Sequence, residues 1–284
     1  ILTRGNRVTI RGEASEVSQA RRVLQEMINL VDRGHAVDPA ATRRAISLVE
    51  KQATELISSG DLAPIVSYRG KTVRAKTPGQ REYVEAIDEE AIVFGIGPAG
   101  TGKTYLAMAK AVQALQSKQV NRIILTRPAV EAGEKLGFLP GTLSDKIDPY
   151  LRPLHDALRE MVDPETIPRL MDTGVIEVAP LAYMRGRTLN DSFVVLDEAQ
   201  NTTPAQMKMF LTRLGFGSKM VVTGDLSQVD LPDRQESGLK VARQVLLGVD
   251  GVSIINLDSD DVVRHRLVSK IVEAYGTYEM ENEI

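Results

Sequence analysis

Residues Gly97-Pro98-Ala99-Gly100-Thr101-Gly102-Lys103-Thr104 satisfy G-x-x-x-x-G-K-[ST] at every fixed position. An apolar stretch, Ala91–Ile96, precedes them, and an Ala-rich stretch with helical spacing, Lys103–Gln116, follows. This strand–loop–helix order constrains the fold more than anything else in the chain. A loop of this kind cradles phosphate with inward backbone N–H groups and a helix N-terminus, so it has to leave the carboxyl end of a strand and open a helix. Gly100 and Gly102 let the backbone approach where a Cβ would collide. Lys103 bridges β- and γ-phosphates as a point charge, and the Thr104 hydroxyl is a ligand for Mg²⁺.

The chain around the loop supports the same architecture. Short β-branched runs at 91–96, 122–126, 175–179, 193–196, 219–223 and 252–257 alternate with helical patterns at 79–88, 103–116, 148–161, 204–214, 237–247 and 260–275. Alternation of this sort predicts an α/β fold, a parallel sheet flanked by helices on both faces. Continuously apolar strands such as Phe193–Leu196 suit a sheet buried on both sides. Residues 128–147, with three glycines and Pro140, read as a long connection, and long connections in compact domains carry function. Before the loop, residues 7–12 alternate as a strand, 13–31 and 38–58 read as helices, and 64–77 as a Gly70-centred hairpin. The expected division is an N-terminal fragment at 1–35, a helical linker and basic hairpin at 36–76, and the nucleotide domain at 77–284.

Composition removes several function classes. With no Cys there is no disulfide scaffold, thiolate metal site or cysteine nucleophile. His35, His155 and His265 do not have metal-ligand spacing. No apolar run approaches the ~18–20 residues of a membrane span, and the first residues lack a signal-peptide pattern. A cytoplasmic protein with no membrane partner is the expectation. The net charge of −3 divides into +5 over residues 1–80 and −8 over the rest, so cations are concentrated before the nucleotide domain.

Two further strand ends carry chemistry. The run Phe193–Leu196 ends in Asp197-Glu198-Ala199-Gln200. Asp197 is placed to hold the Mg²⁺ shell, and Glu198 to orient and deprotonate an attacking water. A kinase transferring phosphate to a hydroxyl acceptor would not need this second acid, so hydrolysis is favoured. Met220–Thr223 ends in Gly224-Asp225-Leu226-Ser227-Gln228, where the Gln228 amide can sense the γ-phosphate or the water. Gln80, near the start of a helix upstream of the loop, is a candidate reader of the adenine edge.

In order and content, Gln80, the loop 97–104, Asp197–Gln200 and Gly224–Gln228 resemble the nucleotide motifs of superfamily-one helicases. Thr126–Gly141, Tyr183–Thr188, Met209–Gly215 and Val262–His265 are similar, more closely, to the PhoH family of phosphate-starvation-inducible P-loop ATPases. The resemblance covers about residues 76–275. It implies a RecA-like P-loop NTPase domain, ATP and Mg²⁺ as cofactors, ATP hydrolysis, and helicase-like work on single-stranded or structured RNA. The N-terminal part resembles the KH-like α+β appendage that some members carry, although residues 1–30 contain no Gly-x-x-Gly clamp loop.

One nucleotide-binding lobe fills the chain as far as about Tyr275, so an arginine for the γ-phosphoryl charge is expected from a neighbouring subunit. That implies a homo-oligomer, a hexameric ring being one form. Arg264 ranks first for this finger, ahead of Arg213 and Arg234. Tyr68, Arg69, Lys71 and Arg74 of the hairpin, Lys135 of the long connection, and Arg185 and Arg187 are candidate nucleic-acid contacts, combining cations with a stacking ring. An RNA-processing endoribonuclease is a further expected partner. The competing expectations are an ATP-regulated scaffold without unwinding activity and a small-metabolite kinase.

Overall fold

A computed structural model describes residues 2–4, 7–9, 64–68, 71–128, 143–232 and 235–263, together with residues 267, 268, 271 and 275. The chain divides into two compact units, Ile1–Leu62 and Ala63–Ile284. In the first, β1 (Leu2–Arg4) pairs antiparallel with β2 (Arg7–Thr9). The expected helices at 13–31 and 38–58, and with them most of the KH-like resemblance, lie outside the described residues.

In the second unit, β3 (Val66–Tyr68) and β4 (Lys71–Val73) form the expected antiparallel hairpin. Helix α1 (Pro78–Glu89) follows because Thr77 caps it, its hydroxyl accepting from the Gln80 N–H at 3.2 Å, and Pro78 supplies a preset φ at the first turn. β5 (Ile92–Ile96) leads through the glycine-rich loop into α2 (Lys103–Gln116). The remaining strands are β6 (Arg122–Arg127), β7 (Ile176–Pro180), β8 (Ser192–Leu196), β9 (Lys219–Gly224) and β10 (Val252–Asn256). The helices between them are α3 (Leu143–Met161), α4 (Ile167–Asp172), α5 (Pro204–Leu211) and α6 (Gly238–Val245).

Strands β5 to β10 form one sheet in the order β10-β5-β9-β8-β6-β7, every neighbouring pair parallel. The pleat divides its side chains between two cores. Phe94, Ile124, Val194, Leu196, Met220 and Val222 pack with Met207 and Phe210 of α5 and Leu239 and Ala242 of α6. Their alternates, including Val93, Ile123, Phe193, Val195 and Val221, are equally buried, as a helix-covered parallel sheet requires. Register puts Ile96 beside Gly224, and Leu196 beside both Val222 and Thr126. The carboxyl ends of β5, β9, β8 and β6 therefore meet along one edge, the usual ligand crevice of an open α/β sheet.

Departures from the expected elements are local. α3 begins at Leu143, inside the stretch expected to be loop, and the short α4 was not expected. α5 stops at Leu211 rather than 214 because side chains take over its last carbonyls. Thr212 Oγ1 donates to Lys208 O and Met209 O, and Arg213 Nε donates to Met209 O at 3.0 Å. A 3₁₀ turn, Ser259–Asp261, stands where a helix was expected to start.

Phe210 is fully buried between α5 and the sheet. Phe210→Ala is expected to lower stability by about 3–5 kcal/mol, seen as a lower urea midpoint at unchanged slope.

Candidate nucleotide site

The loop between β5 and α2 is fixed by backbone at three points. Gly97 N–H donates to Gly224 O of β9 at 3.1 Å, Leu257 N–H donates to Ile96 O at 2.8 Å, and Val263 N–H donates to Gly100 O at 2.9 Å. Only glycine fits at position 97, where a Cβ would lie 2.2 Å from the Leu257 carbonyl oxygen. Gly102 caps α2 at φ +79°, a backbone region other residues rarely enter, and no side chain caps the helix there. The first N–H groups of α2 are thus left for a ligand, with the positive end of the helix dipole behind them.

Lys103 lies at the centre of this loop. Its Nζ donates to Gly97 O at 2.7 Å and Pro98 O at 2.8 Å. Burial pushes the ammonium below the ordinary lysine range, against the opposing pull of the Asp225, Asp197 and Glu198 carboxylates. Phosphate oxygens would supply the negative charge that the two carbonyls replace only in part.

The acidic strand end closes on the same loop. Thr104 Oγ1 donates to Asp197 Oδ1 at 2.6 Å, across 93 residues of sequence. Thr223 Oγ1, at the end of β9, donates to the same oxygen at 2.9 Å. A hydroxyl and a carboxylate oxygen side by side suit a hard cation such as Mg²⁺, which takes few protein ligands and completes its shell with phosphate and water. Among the described residues there is no cluster of three or more His, Asp or Glu that could hold a metal without such help. A cleft of about 300 Å³ runs past Lys103, Thr104, Asp197, Glu198, Asp225 and Gln228.

Glu198 has a left-handed backbone, with φ +52° and ψ +40°. Its Oε1 lies 3.1 Å from Arg127 Nη2, and its Oε2 accepts from Gln200 Nε2 at 2.6 Å. Gln200 also donates to the Gln228 carbonyl at 3.1 Å and accepts from the Asp225 N–H at 3.0 Å, so it ties the end of β8 to the turn after β9. Gln228 is thereby held at the cleft, on a turn where Asp225 Oδ1 accepts from both Ser227 N–H and Ser227 Oγ.

Gln80 sits beside the loop, with its amide engaged by protein. Nε2 donates to Thr101 O at 3.0 Å and Asp261 O at 3.3 Å, and Oε1 accepts from Lys76 N–H at 2.8 Å. Asp261, 5% exposed, accepts from Thr77 Oγ1 and from Asp258 N–H. A second cavity of about 390 Å³ adjoins the phosphate loop here, lined by Thr72, Arg74, Lys76, Gln80, Gly100 and Tyr105.

Sequence comparison gives the family. The description PhoH-like protein matches residues 72–276, almost the span over which the motifs resemble that family. The chain belongs to the PhoH family. It is 64% identical over 276 residues to the PhoH-like protein of Mycobacterium bovis, covering 97% of this chain and 78% of that one. Identity to the PhoH-like protein of Bacillus subtilis is 56%, covering 97% and 86%. Identity to Protein PhoH of Escherichia coli K12 is 39%, covering 93% and 74%. Among solved structures, the UvsW helicase of bacteriophage T4 is a distant likeness at 11% identity and a TM-score of 0.41, over 83% of this chain and 77% of that one. As a PhoH protein the chain is a P-loop NTPase, a fold that implies a nucleotide and usually Mg²⁺. No helix among its described residues is long and apolar enough to cross a membrane.

The other candidates are dispersed. Tyr68 donates its hydroxyl to Asp163 Oδ1 at 3.0 Å, Lys71 opens β4, and Arg74 and Arg185 are exposed. Arg187 forms a two-pronged pair with Glu177, at 2.6 and 2.7 Å, and that hydrogen bonding raises its pKa further. Arg213 is engaged with the Met209 and Arg187 carbonyls. Arg69, Lys135, Arg234 and Arg264 lie outside the described residues.

Arg127, Gln200 and Thr223 stand in stretches the sequence reading singled out but received no role of their own, and Asp261 received none. For Arg127 a partial signal existed, a charged residue ending the apolar run 122–126, but its nearness to Glu198 was not readable. Asp261 sits in an acidic run that reads as a helix cap, with nothing to point at the loop. Asp261→Ala would remove the acceptor of the Thr77 O–H and of the Asp258 N–H, while the Gln80 contact to the residue 261 backbone carbonyl stays. The expected loss is about 1–3 kcal/mol of stability by urea titration.

Proposed function

We propose that this PhoH-family chain is an Mg²⁺-dependent ATPase whose turnover is coupled to binding or rearranging RNA. The observation that carries the catalytic half is the meeting of Lys103, Thr104, Asp197 and Glu198 in one cleft beside an uncapped helix N-terminus. Gly97–Thr104 would hold the phosphates, and Thr104 and Asp197 the metal. When bound, Mg²⁺ would neutralise charge on the β- and γ-phosphate oxygens. Lys103 moves from the loop carbonyls to those same oxygens. Glu198 takes the proton of the attacking water as the bond from the γ-phosphorus to the ADP oxygen breaks, leaving ADP and inorganic phosphate. Gln228 reports the γ-phosphate. Gln80 holds the loop from the adenine side, where the second cavity takes the base.

The RNA half rests on exposed groups. Arg74 and Lys76 follow the hairpin, and Arg185 lies two residues from Tyr183, a ring that is 55% exposed. Cations beside an open aromatic face suit a flexible, stacking single strand. Arg69, Lys71 and Lys135 belong to the same reading, while Arg187 is committed to Glu177. Since Arg213 is likewise committed, Arg264 from a neighbouring subunit is the favoured finger, in a homo-oligomer whose closed form is a hexameric ring. A partner endoribonuclease would act on the RNA so presented.

Glu198→Gln is expected to bind ATP normally and to lose turnover by roughly 10²–10⁴-fold, whereas Lys103→Ala weakens binding and turnover together. Single-stranded RNA is expected to raise the wild-type rate, less so as salt increases. Normal turnover in the Gln variant would remove Glu198 from its role, and RNA binding indifferent to salt would remove backbone tracking.

A further inference from the structure

Glu198 is held more closely than a solvent-facing carboxylate needs to be. Its left-handed φ of +52° is uncommon for a residue with a Cβ and persists only where surroundings enforce it. Its carboxylate is held as well, one partner on each oxygen. Arg127, the last residue of β6, approaches Oε1 from the neighbouring strand. Gln200 approaches Oε2 and is anchored on the turn after β9. Arg127 has a second commitment, with Nη1 donating to the Tyr150 carbonyl of α3 at 3.0 Å. Its side chain is 20% exposed and that of Glu198 33%, so the pair is partly withdrawn from water and holds direction better than a surface pair. Each carboxylate oxygen still has a free lone pair for a water in the cleft.

We propose that Arg127 is a positioning residue for hydrolysis: it fixes the Glu198 carboxylate towards the cleft and ties that orientation to the backbone of α3. The inference rests on Glu198 being the base. The planar guanidinium can face the carboxylate and a carbonyl from two different nitrogens at once, which an ammonium on a flexible stem does poorly. Whatever moves α3 at Tyr150 then moves the base, while the phosphate-holding residues Lys103 and Thr104 have no direct share in the contact.

The test is a cycle of wild type, Arg127→Ala, Glu198→Gln and the double variant, with kcat and KM for ATP measured on the full chain. Arg127→Ala is expected to lower kcat by about 10–100-fold with KM within about threefold. In the Glu198→Gln background the same change should alter the residual rate less than about twofold, because a residue acting through Glu198 has nothing left to position. Arg127→Lys should fall between wild type and alanine. Unchanged kcat in Arg127→Ala, a rise in KM alone, or an equal loss in both backgrounds would each overturn the proposal. If the alanine variant lacks a cooperative melt, the lysine variant replaces it in the cycle, and wild-type kcat there overturns it equally. Turnover persisting in Glu198→Gln is a separate result, and it contradicts the hydrolysis reading itself.

Discussion

A triphosphate can be gripped in a partly buried cleft only if donors and a cation site stand ready, because unpaired phosphate charge would otherwise have to be taken out of water. In the function proposed for this chain, that requirement would fall on one contact, the Thr104 hydroxyl on the Asp197 carboxylate. The contact depends on β5 and β8 running parallel with β9 between them, so that two distant loops end at the same level. Almost every other feature of the domain serves that alignment. The two buried faces of the sheet fix its register, and the glycines at 97 and 102 bring the loop within reach.

The charged groups of the cleft are paired within the protein. Lys103 is turned onto the carbonyls of its own loop, and Glu198 is held between Arg127 and Gln200. Both arrangements satisfy charges that would be costly to leave unpaired in a half-buried cleft. Gln80 and Asp261 play the same part for the loop backbone, joining it to α1 and to the turn after β10. On the proposed reading, nucleotide binding would be an exchange of partners, with phosphate oxygens replacing carbonyls around Lys103.

Much of this was legible in the sequence because the chemistry is local. The phosphate loop, the Asp197-Glu198 strand end and the apolar strands are each contiguous, and their order predicts a helix-covered parallel sheet. Contacts made across the sheet were not legible. The Arg127–Glu198 pair depends on β6 and β8 being neighbours, which strand order in sequence does not reveal. Gln80 was expected as a reader of the adenine edge, and its hydrogen bonds to Thr101 and to Asp261, a partner 181 positions away, were not readable. Helix ends failed where side chains act as caps, as Thr212 and Arg213 do in ending α5. Arg187 looked like a free cation because Glu177 faces it from β7, a strand the sequence could not place beside it.

The most direct check is a crystal structure of the full chain with Mg²⁺ and a non-hydrolysable ATP analogue. The account predicts Lys103 Nζ on β- and γ-phosphate oxygens, Thr104 Oγ1 on the metal with Asp197 in its coordination shell, and the base in the cavity beside Gln80 and Tyr105. An analogue bound with Lys103 still donating to Gly97 and Pro98, or with the metal away from Asp197, would contradict it.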